Sequence, residues 1–332
     1  MTASNQSQTA FSTDSQQPLV SVIIPAYNRP AYLKEAIESA VGQNYQNIEI
    51  IVSDDCSREN LQAVVDAFQD PRIIFMRNET NFGMVRNIGN IYKKAQGKYV
   101  AHLNDDDMWN KDFLEKLVPP LERHPDLALA FCDHYLIDAD GEINYPETEK
   151  CTQVTHRRDL KEGVYQPFCK LAIVEHAVAS PCAAVIRKDA FDWDDIPVEI
   201  GGYWDVYINY LCCRSGRGAY YYPERLTRYR AHSQSYTRSN TKKDVEINIR
   251  KAEHVILLNE RLMEDERLEE LKPFFKKEWA IGMRSLGVNL LRAKKVADAR
   301  PYLLSSLTQH PNLKTLVALI LSFTPHSLAS RF

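Results

Sequence analysis

From Leu19 onward the hydrophobic positions follow two alternating rhythms. Short runs rich in Val and Ile are separated by segments whose apolar residues recur every three or four positions, the sequence form of a parallel α/β sheet covered by helices. Residues 20–24 predict a first strand buried on both faces. After Pro30, the positions Leu33, Ala36, Ile37, Ala40 and Val41 fall on one stripe of a helix. A strand over 48–53 follows, then a helix with the stripe Leu61, Val64, Val65 and Phe68, for which Ser57 is the predicted N-cap, and a third strand over 73–76. Residues 85–95 predict a helix ended by Gly97. Residues 99–103 predict a fourth strand and 127–132 a fifth, with the helical stripe Leu114, Leu117, Val118 and Leu121 between them.

Beyond residue 132 the pattern loosens. Residues 133–235 are less periodic and rich in aromatics, with a hairpin predicted around 138–141, a strand over 183–186 and a helix carrying Trp204, Tyr207, Ile208 and Leu211. From about Lys242 the chain reads as helical. Residues 293–311 have the spacing of part of one tetratricopeptide unit, but one unit cannot bury its own face, so a helical appendage is expected.

Composition narrows the class. The chain has 332 residues, 44% hydrophobic and 26% charged, enough for a soluble protein with a sizeable core. Its 41 basic and 44 acidic residues leave a net charge of −3, which argues against a nucleic-acid partner. Seven cysteines without a C-x-x-C pair speak against a zinc ribbon or a disulfide framework. The first 17 residues are mostly Ser, Thr, Gln and Ala and lack the apolar stretch of a secretory signal, which predicts a flexible tail and a cytoplasmic protein. The longest apolar run, residues 316–323, is far short of the ~20 positions a membrane span needs.

Ligands of open α/β sheets bind beyond the carboxyl ends of the strands, and three polar clusters fall there: Tyr27-Asn28, Asp54-Asp55 and Asp105-Asp106-Asp107. Carboxylates so placed suit a hard divalent cation such as Mg²⁺ or Mn²⁺. The aspartates at 105–107 can equally form a polar turn before the helix that starts near Asp112, and Asp54-Asp55-Cys56-Ser57 a strand-to-helix turn. The residues alone leave both readings open.

The ordered series Pro25-Ala26-Tyr27-Asn28, Asp54-Asp55-Cys56-Ser57, Asn81-Phe82-Gly83 with Arg86-Asn87, Gly97-Lys98-Tyr99-Val100 and Leu103-Asn104-Asp105-Asp106-Asp107 resembles the family 2 glycosyltransferases of GT-A fold. The resemblance covers roughly residues 19–240. It implies an α/β fold with a Rossmann-like, mostly parallel nucleotide-binding sheet. The expected organisation is a tail over 1–18, a catalytic unit over 19–240 split into a nucleotide-sugar half (19–132) and an acceptor half (133–240), and a helical extension over 241–332. It further implies that Pro25, Tyr27, Asn28 and Asp55 hold the base and ribose and that Arg86 lies near the diphosphate. The metal-binding triplet aligns with Asn104-Asp105-Asp106, making Asp106 the direct ligand and Asp105 a ribose or indirect contact. Asn104 stands where the family commonly has Asp, so it could coordinate through its amide oxygen but brings no charge.

The same resemblance places the catalytic base in Gly201-Gly202-Tyr203-Trp204-Asp205-Val206, where Trp204 takes the position of a usual Glu and Asp205 is kept. Without it, Asp205 reads as a helix N-terminal acid stabilised by the macrodipole. Tyr229-Arg230-Ala231-His232-Ser233 resembles an element near the diphosphate, implying Arg230 and His232 as phosphate or metal contacts, although a loop His is often only solvated. Ser180-Pro181-Cys182 falls where the family has an acceptor-side loop.

The activity implied is inverting transfer from a nucleotide-sugar, expected to be UDP-linked, to a hydroxyl on a glycan, lipid-linked or small-molecule acceptor. A non-catalytic nucleotide- or glycan-binding module is the alternative. A sugar nucleotidyltransferase fits less well, because residues 26–30 contain no glycine. Residues 273–300 contain seven Lys or Arg and two acidic residues, so 241–332 is a candidate surface for a peripheral contact with the inner membrane face or a protein partner.

Overall fold

The computed structural model describes residues 17–178, 181–232 and 244–323. The expected tail therefore lies outside the described residues except for its last two positions, as do Ser180 and Ser233 of the expected loops. The chain runs β1 (Val20–Ala26), α1 (Pro30–Val41), β2 (Ile48–Asp54), α2 (Leu61–Asp66), β3 (Ile73–Arg77), α3 (Met84–Lys94), β4 (Tyr99–His102), β5 (Met108–Trp109), α4 (Phe113–Arg123) and β6 (Leu127–Ile137). It continues through α5 (Tyr145–Val154), β7 (Gly163–Tyr165), β8 (Ala184–Arg187), α6 (Trp204–Arg214) and β9 (Gly218–Arg230) to the helices α7 (Val245–Glu264), α8 (Lys272–Arg292), α9 (Val296–Gln309) and α10 (Leu313–Leu321).

One sheet organises the molecule, in the order β3-β2-β1-β4-β8-β6-β9-β5 with β7 also on β9. The four strands from β3 to β4 are parallel, β8 is antiparallel to both β4 and β6, and β6 and β9 are parallel to each other. Val20 faces Ile48 on one side and Tyr99 on the other, and Ala26 faces Asp54, so the polar clusters predicted from the sequence finish side by side at one edge. Pro25 fits inside β1 because pairing with β4 ends at the Ile23–His102 register, leaving no ladder partner where its N–H is missing.

Strand alternation explains the burial on both faces. Val20, Val22 and Ile24 join the layer under α1, α2 and α4, while Ile23 joins the layer under α3 and α6. The second layer also takes Leu258 and Leu262 of α7 and Phe275 of α8. The helical extension is thus only in part an appendage: α7 and the start of α8 complete the second core layer, while the end of α8, α9 and α10 pack around a smaller cluster of their own. Among the described residues, no helix is long and apolar enough to cross a membrane.

Two local expectations change. Ser57 does not cap α2. Its N–H donates to Asp54 Oδ1 (2.8 Å) and its Oγ accepts from the Asn28 N–H (2.8 Å), so the cap passes to Asn60, whose side chain accepts from the Ala63 N–H. The strands of the second half also extend beyond their apolar runs: β6 continues to Ile137, and β9, read from sequence as irregular, is 13 residues long. Its alternation is masked because the register shifts on both sides of Asp133, where Pro223 and Glu224 are skipped.

Gly97 marks the close approach that brings β4 onto β1. Its N–H donates to Ser21 Oγ (2.8 Å), and a Cβ at this position would lie 2.6 Å from the Ser21 backbone nitrogen and 2.7 Å from the Tyr99 carbonyl oxygen. Gly97→Ala is expected to cost about 2–3 kcal/mol in urea denaturation. An unchanged midpoint would show that the turn can move away from β1.

Candidate functional site

The edge formed by β1, β2 and β4 opens into a cavity of about 870 Å³. Of the residues predicted from sequence, Pro25, Tyr27, Asp55, Asn104, Asp105, Asp106, Asp205 and Arg230 line it. Asn28 and Arg86 do not, and His232 is buried behind Asp106.

Asp55 is almost fully enclosed. Oδ1 accepts from Asn78 Nδ2 (2.9 Å) and the Phe82 N–H (2.8 Å), and Oδ2 from the Gly83 N–H (2.9 Å), so the carboxylate organises the loop that starts α3. Gly83, at φ +80°, can adopt this left-handed turn without strain. Tyr27 stands 45% exposed at the mouth. Asn28, also left-handed at φ +55°, turns its Oδ1 to the Arg58 N–H (2.7 Å), away from the cavity. Arg86 is exposed and lines a neighbouring hollow with Lys93 and Trp193; its place on α3 points it around the helix from Met84 and Asn87, which do face the cavity.

The acidic turn after β4 is the most highly charged part of the site. Asp105 Oδ2 accepts from the Tyr27 N–H (3.0 Å) and Oδ1 from Arg29 Nη1 (2.8 Å). The same guanidinium nitrogen donates to Asp106 Oδ2 (2.7 Å), which also meets His232 Nε2 at 2.9 Å. Asp107 accepts from the Arg230 N–H (2.8 Å) and from Asn104 Nδ2 (2.8 Å). Burial pushes Asp105 up to about 6 against the pull of Arg29, and burial beside Asp106 pushes Asp107 up to about 8. Burial works against Arg29 as well, yet the three aspartates hold its guanidinium above the ordinary range.

Two of the residues predicted from sequence, Asn104 and Arg230, take part in this network. Asn104 Oδ1 contacts His102 Nε2 (3.0 Å) and its amide nitrogen donates to Asp107, so the side chain shapes the turn. Burial holds His102 down to about 4, leaving it a neutral partner for that amide. Arg230 is likewise engaged with protein partners. Its Nε donates to the Asp106 carbonyl (2.8 Å), Nη1 to the Ala139 carbonyl (3.0 Å), and Nη2 pairs with Glu35. It fixes the backbone of the acidic turn from inside.

Arg29 is a neighbour of the acidic turn that the motif reading missed, and Asp107, read there only as part of the strand-end cluster, was given no role of its own. A cation two residues after Tyr27, aimed at a strand end with three acids, was the available signal. A divalent cation fits the chemistry of Asp106 and His232, a carboxylate oxygen and an imidazole nitrogen that already converge, with remaining positions left to phosphate oxygens and water. Among the described residues no set of three acidic, His or Cys side chains converges for a metal, so the protein alone offers few ligands.

Across the cavity, Asp205 opens α6. Trp204 is buried, 4.6 Å from the His102 ring, while Asp205 faces the cavity and accepts from the Val206 N–H (2.8 Å). Burial pushes its carboxyl up to about 6. Gly201 makes the approach possible: it has φ +54°, and a Cβ there would overlap the His254 ring of α7. Beyond Asp205 the wall carries Arg157, fully buried and paired with Asp133 at 2.6 Å.

Comparison with known proteins agrees with this architecture. Residues 21–192 match the family model described as glycosyl transferase family 2. A Bacillus subtilis protein whose name provisionally assigns it as a teichuronic acid biosynthesis glycosyltransferase is 36% identical over 128 residues, 38% of this chain and 50% of its own. An uncharacterized glycosyltransferase of Methanocaldococcus jannaschii is 38% identical over 131 residues, 38% of this chain and 45% of its own. The chain thus spans about half the length of the curated relatives it matches. Among solved structures, S. aureus TarS residues 1–349 with UDP-GlcNAc superpose with a TM-score of 0.64 at 15% identity, covering 91% of this chain and 90% of that one. A Pyrobaculum calidifontis mannosyltransferase with GDP-Man and Mn²⁺ gives 0.53 at 16% identity, covering 93% and 89%. At these identities the likeness is one of fold.

Arg29→Gln removes the charge that two largely buried carboxylates share. Metal-free protein is expected to lose about 2–3 kcal/mol in urea denaturation at pH 7, and Mn²⁺ to raise the variant's Tm more than that of the parent. Equal stability would mean that the acidic turn is neutralised elsewhere.

Proposed function

The chain belongs to glycosyl transferase family 2, and from that premise we propose that it moves a sugar from a nucleotide-sugar, a UDP-sugar in the first instance, onto a hydroxyl of a polysaccharide or glycolipid precursor, with inversion at the anomeric carbon. One observation carries this reading: Asp205 and the Asp105–Asp106 pair line the same cavity from opposite halves of the chain, with the Tyr27–Asp55 edge beside them.

The nucleotide end of the donor lies against Tyr27 and Asp55, where an exposed aromatic ring offers a stacking face and the loop capped by Asp55 sets the edge of the base pocket. Asp105, held by the Tyr27 N–H and Arg29, faces the ribose. Asp106 and His232 would hold a divalent cation, Mg²⁺ or Mn²⁺, which when bound would supply Lewis-acid stabilisation to the leaving diphosphate. Arg230 and Asp107 keep the turn that presents Asp106 in place.

Asp205 accepts the proton of the acceptor hydroxyl as its oxygen bonds to the anomeric carbon and the bond to the diphosphate breaks. A carboxylate pushed up to about 6 is a stronger base than an exposed one and is still ionised at neutral pH. Trp204, in the position of a second acid, closes the cavity floor against His102 and excludes water from beside the base.

Asp205→Asn is expected to lower kcat by about 10²–10⁴-fold while UDP affinity stays within about twofold. The parent's rate should rise with pH through about 6. Stability moves the other way: the folded state keeps the Asp205 proton to a higher pH than the unfolded chain, so stability falls as pH rises from about 4 to above 6. The Asn variant lacks that loss and should be about 1–2 kcal/mol more stable than the parent at pH 8 by urea denaturation. A variant that transfers sugar at the parent rate would remove Asp205 from the mechanism.

A further inference from the structure

Away from the cavity, one surface combines apolar exposure with an unusual charge pattern. The inner side of α10 is buried through Thr315 and Ala318, and Ser322 just beyond it is buried too. Arg300 of α9 donates to the Ser322 carbonyl (2.8 Å) and lies 4.2 Å over the Phe323 ring. The outer side is exposed among the described residues. Leu313 is 74% exposed, Leu316 40%, Ile320 56% and Phe323 67%, at spacings that form one stripe along a helix. Leu304, one turn along α9 from Arg300, is also exposed. Five of the 13 large hydrophobics exposed among the described residues therefore fall within residues 304–323.

The charge pattern selects among occupants. After Asp298 the sequence contains no Asp or Glu, while Arg300, Lys314 and Arg331 are basic, in a chain with 44 acidic residues. A helix seam that pairs with another protein in water is commonly flanked by both signs of charge. An apolar stripe bordered by cations alone complements a negatively charged lipid surface. We propose that the outer face of α10, with Leu304 and Arg300 beside it, docks on an anionic bilayer surface. Leu313, Leu316, Ile320 and Phe323 enter the head-group and acyl boundary, and Lys314 and Arg300 meet lipid phosphates. With so short a stripe, binding is weak, reversible and salt-sensitive.

Co-sedimentation of the full chain with vesicles tests this. Partition onto phosphatidylcholine vesicles containing about a third phosphatidylglycerol should exceed partition onto phosphatidylcholine alone by about tenfold, and should fall to the latter level in about 0.5 M salt. The double substitution Leu316→Ser and Ile320→Ser, at exposed positions, should lower that partition by about tenfold, and Lys314→Glu by a smaller factor, with melting temperature and UDP affinity unchanged. Absence of binding to the anionic vesicles overturns the proposal, as does equal binding by parent and double variant. If light scattering instead finds a dimer that the double substitution dissolves, the face is an interface between two copies of this chain and the lipid assignment falls.

Discussion

Three adjacent carboxylates in a largely buried turn are electrostatically untenable unless the surrounding chain neutralises them. Residues 105–107 impose that condition, and much of the sheet's outer half satisfies it. Arg29 comes from the start of α1, the Tyr27 N–H from the end of β1, and the Arg230 N–H and His232 from the end of β9. Arg230 alone holds the Asp106 carbonyl, the 138–139 turn and Glu35. The length of β9 follows from this condition: only a strand that runs the full height of the sheet brings residues 230–232 to the same edge as the acidic turn. The bulge at Asp133 lets β6 and β9 stay paired over that distance despite Pro223.

The second half of the site depends on packing. Asp205 reaches the cavity because Trp204 is anchored against His102 and because Gly201, lacking a Cβ, lets α7 press on the preceding loop through His254. Tyr210 of α6 donates to Asp265 (2.9 Å), and Arg267 donates to the Arg214 carbonyl (3.1 Å), so the segment after α7 grips the far end of the same helix. The helices beyond residue 241 are therefore coupled to the placement of the candidate base, while α10 is left with its apolar side outward.

How legible the site was in the sequence depended on range. The strand-end clusters could be read because parallel strands buried on both faces leave strong apolar runs, and the polar residues that end them must fall at one edge. The contacts of Asn104 were not legible in the motif: its amide meets His102, two residues away, and the buried Asp107. Those of Arg230 were not legible either, since its partners lie as far away as Glu35. Arg29 was missed because its function is to balance charges 76 and 77 positions distant. Local pattern identifies which residues reach the edge, and long-range charge balance decides what each can still do there.

That distinction also orders the chemistry. Groups whose hydrogen bonds are already filled, such as Asn104, Arg230 and much of Asp55, are suited to holding geometry, because recruiting them to a ligand would leave a buried partner unsatisfied. Groups held at a cost are suited to reaction. Asp205 accepts only from the Val206 N–H among the hydrogen bonds resolved for it, and its carboxylate is raised by burial without an opposing cation. Asp106 gathers an arginine and a histidine on a single oxygen. The proposed reactive pair thus differs from its scaffold: Asp205 has a single resolved hydrogen bond and Asp106 has two partners crowded on one oxygen, an arrangement that a hydroxyl proton on one side and a metal-diphosphate on the other would relieve.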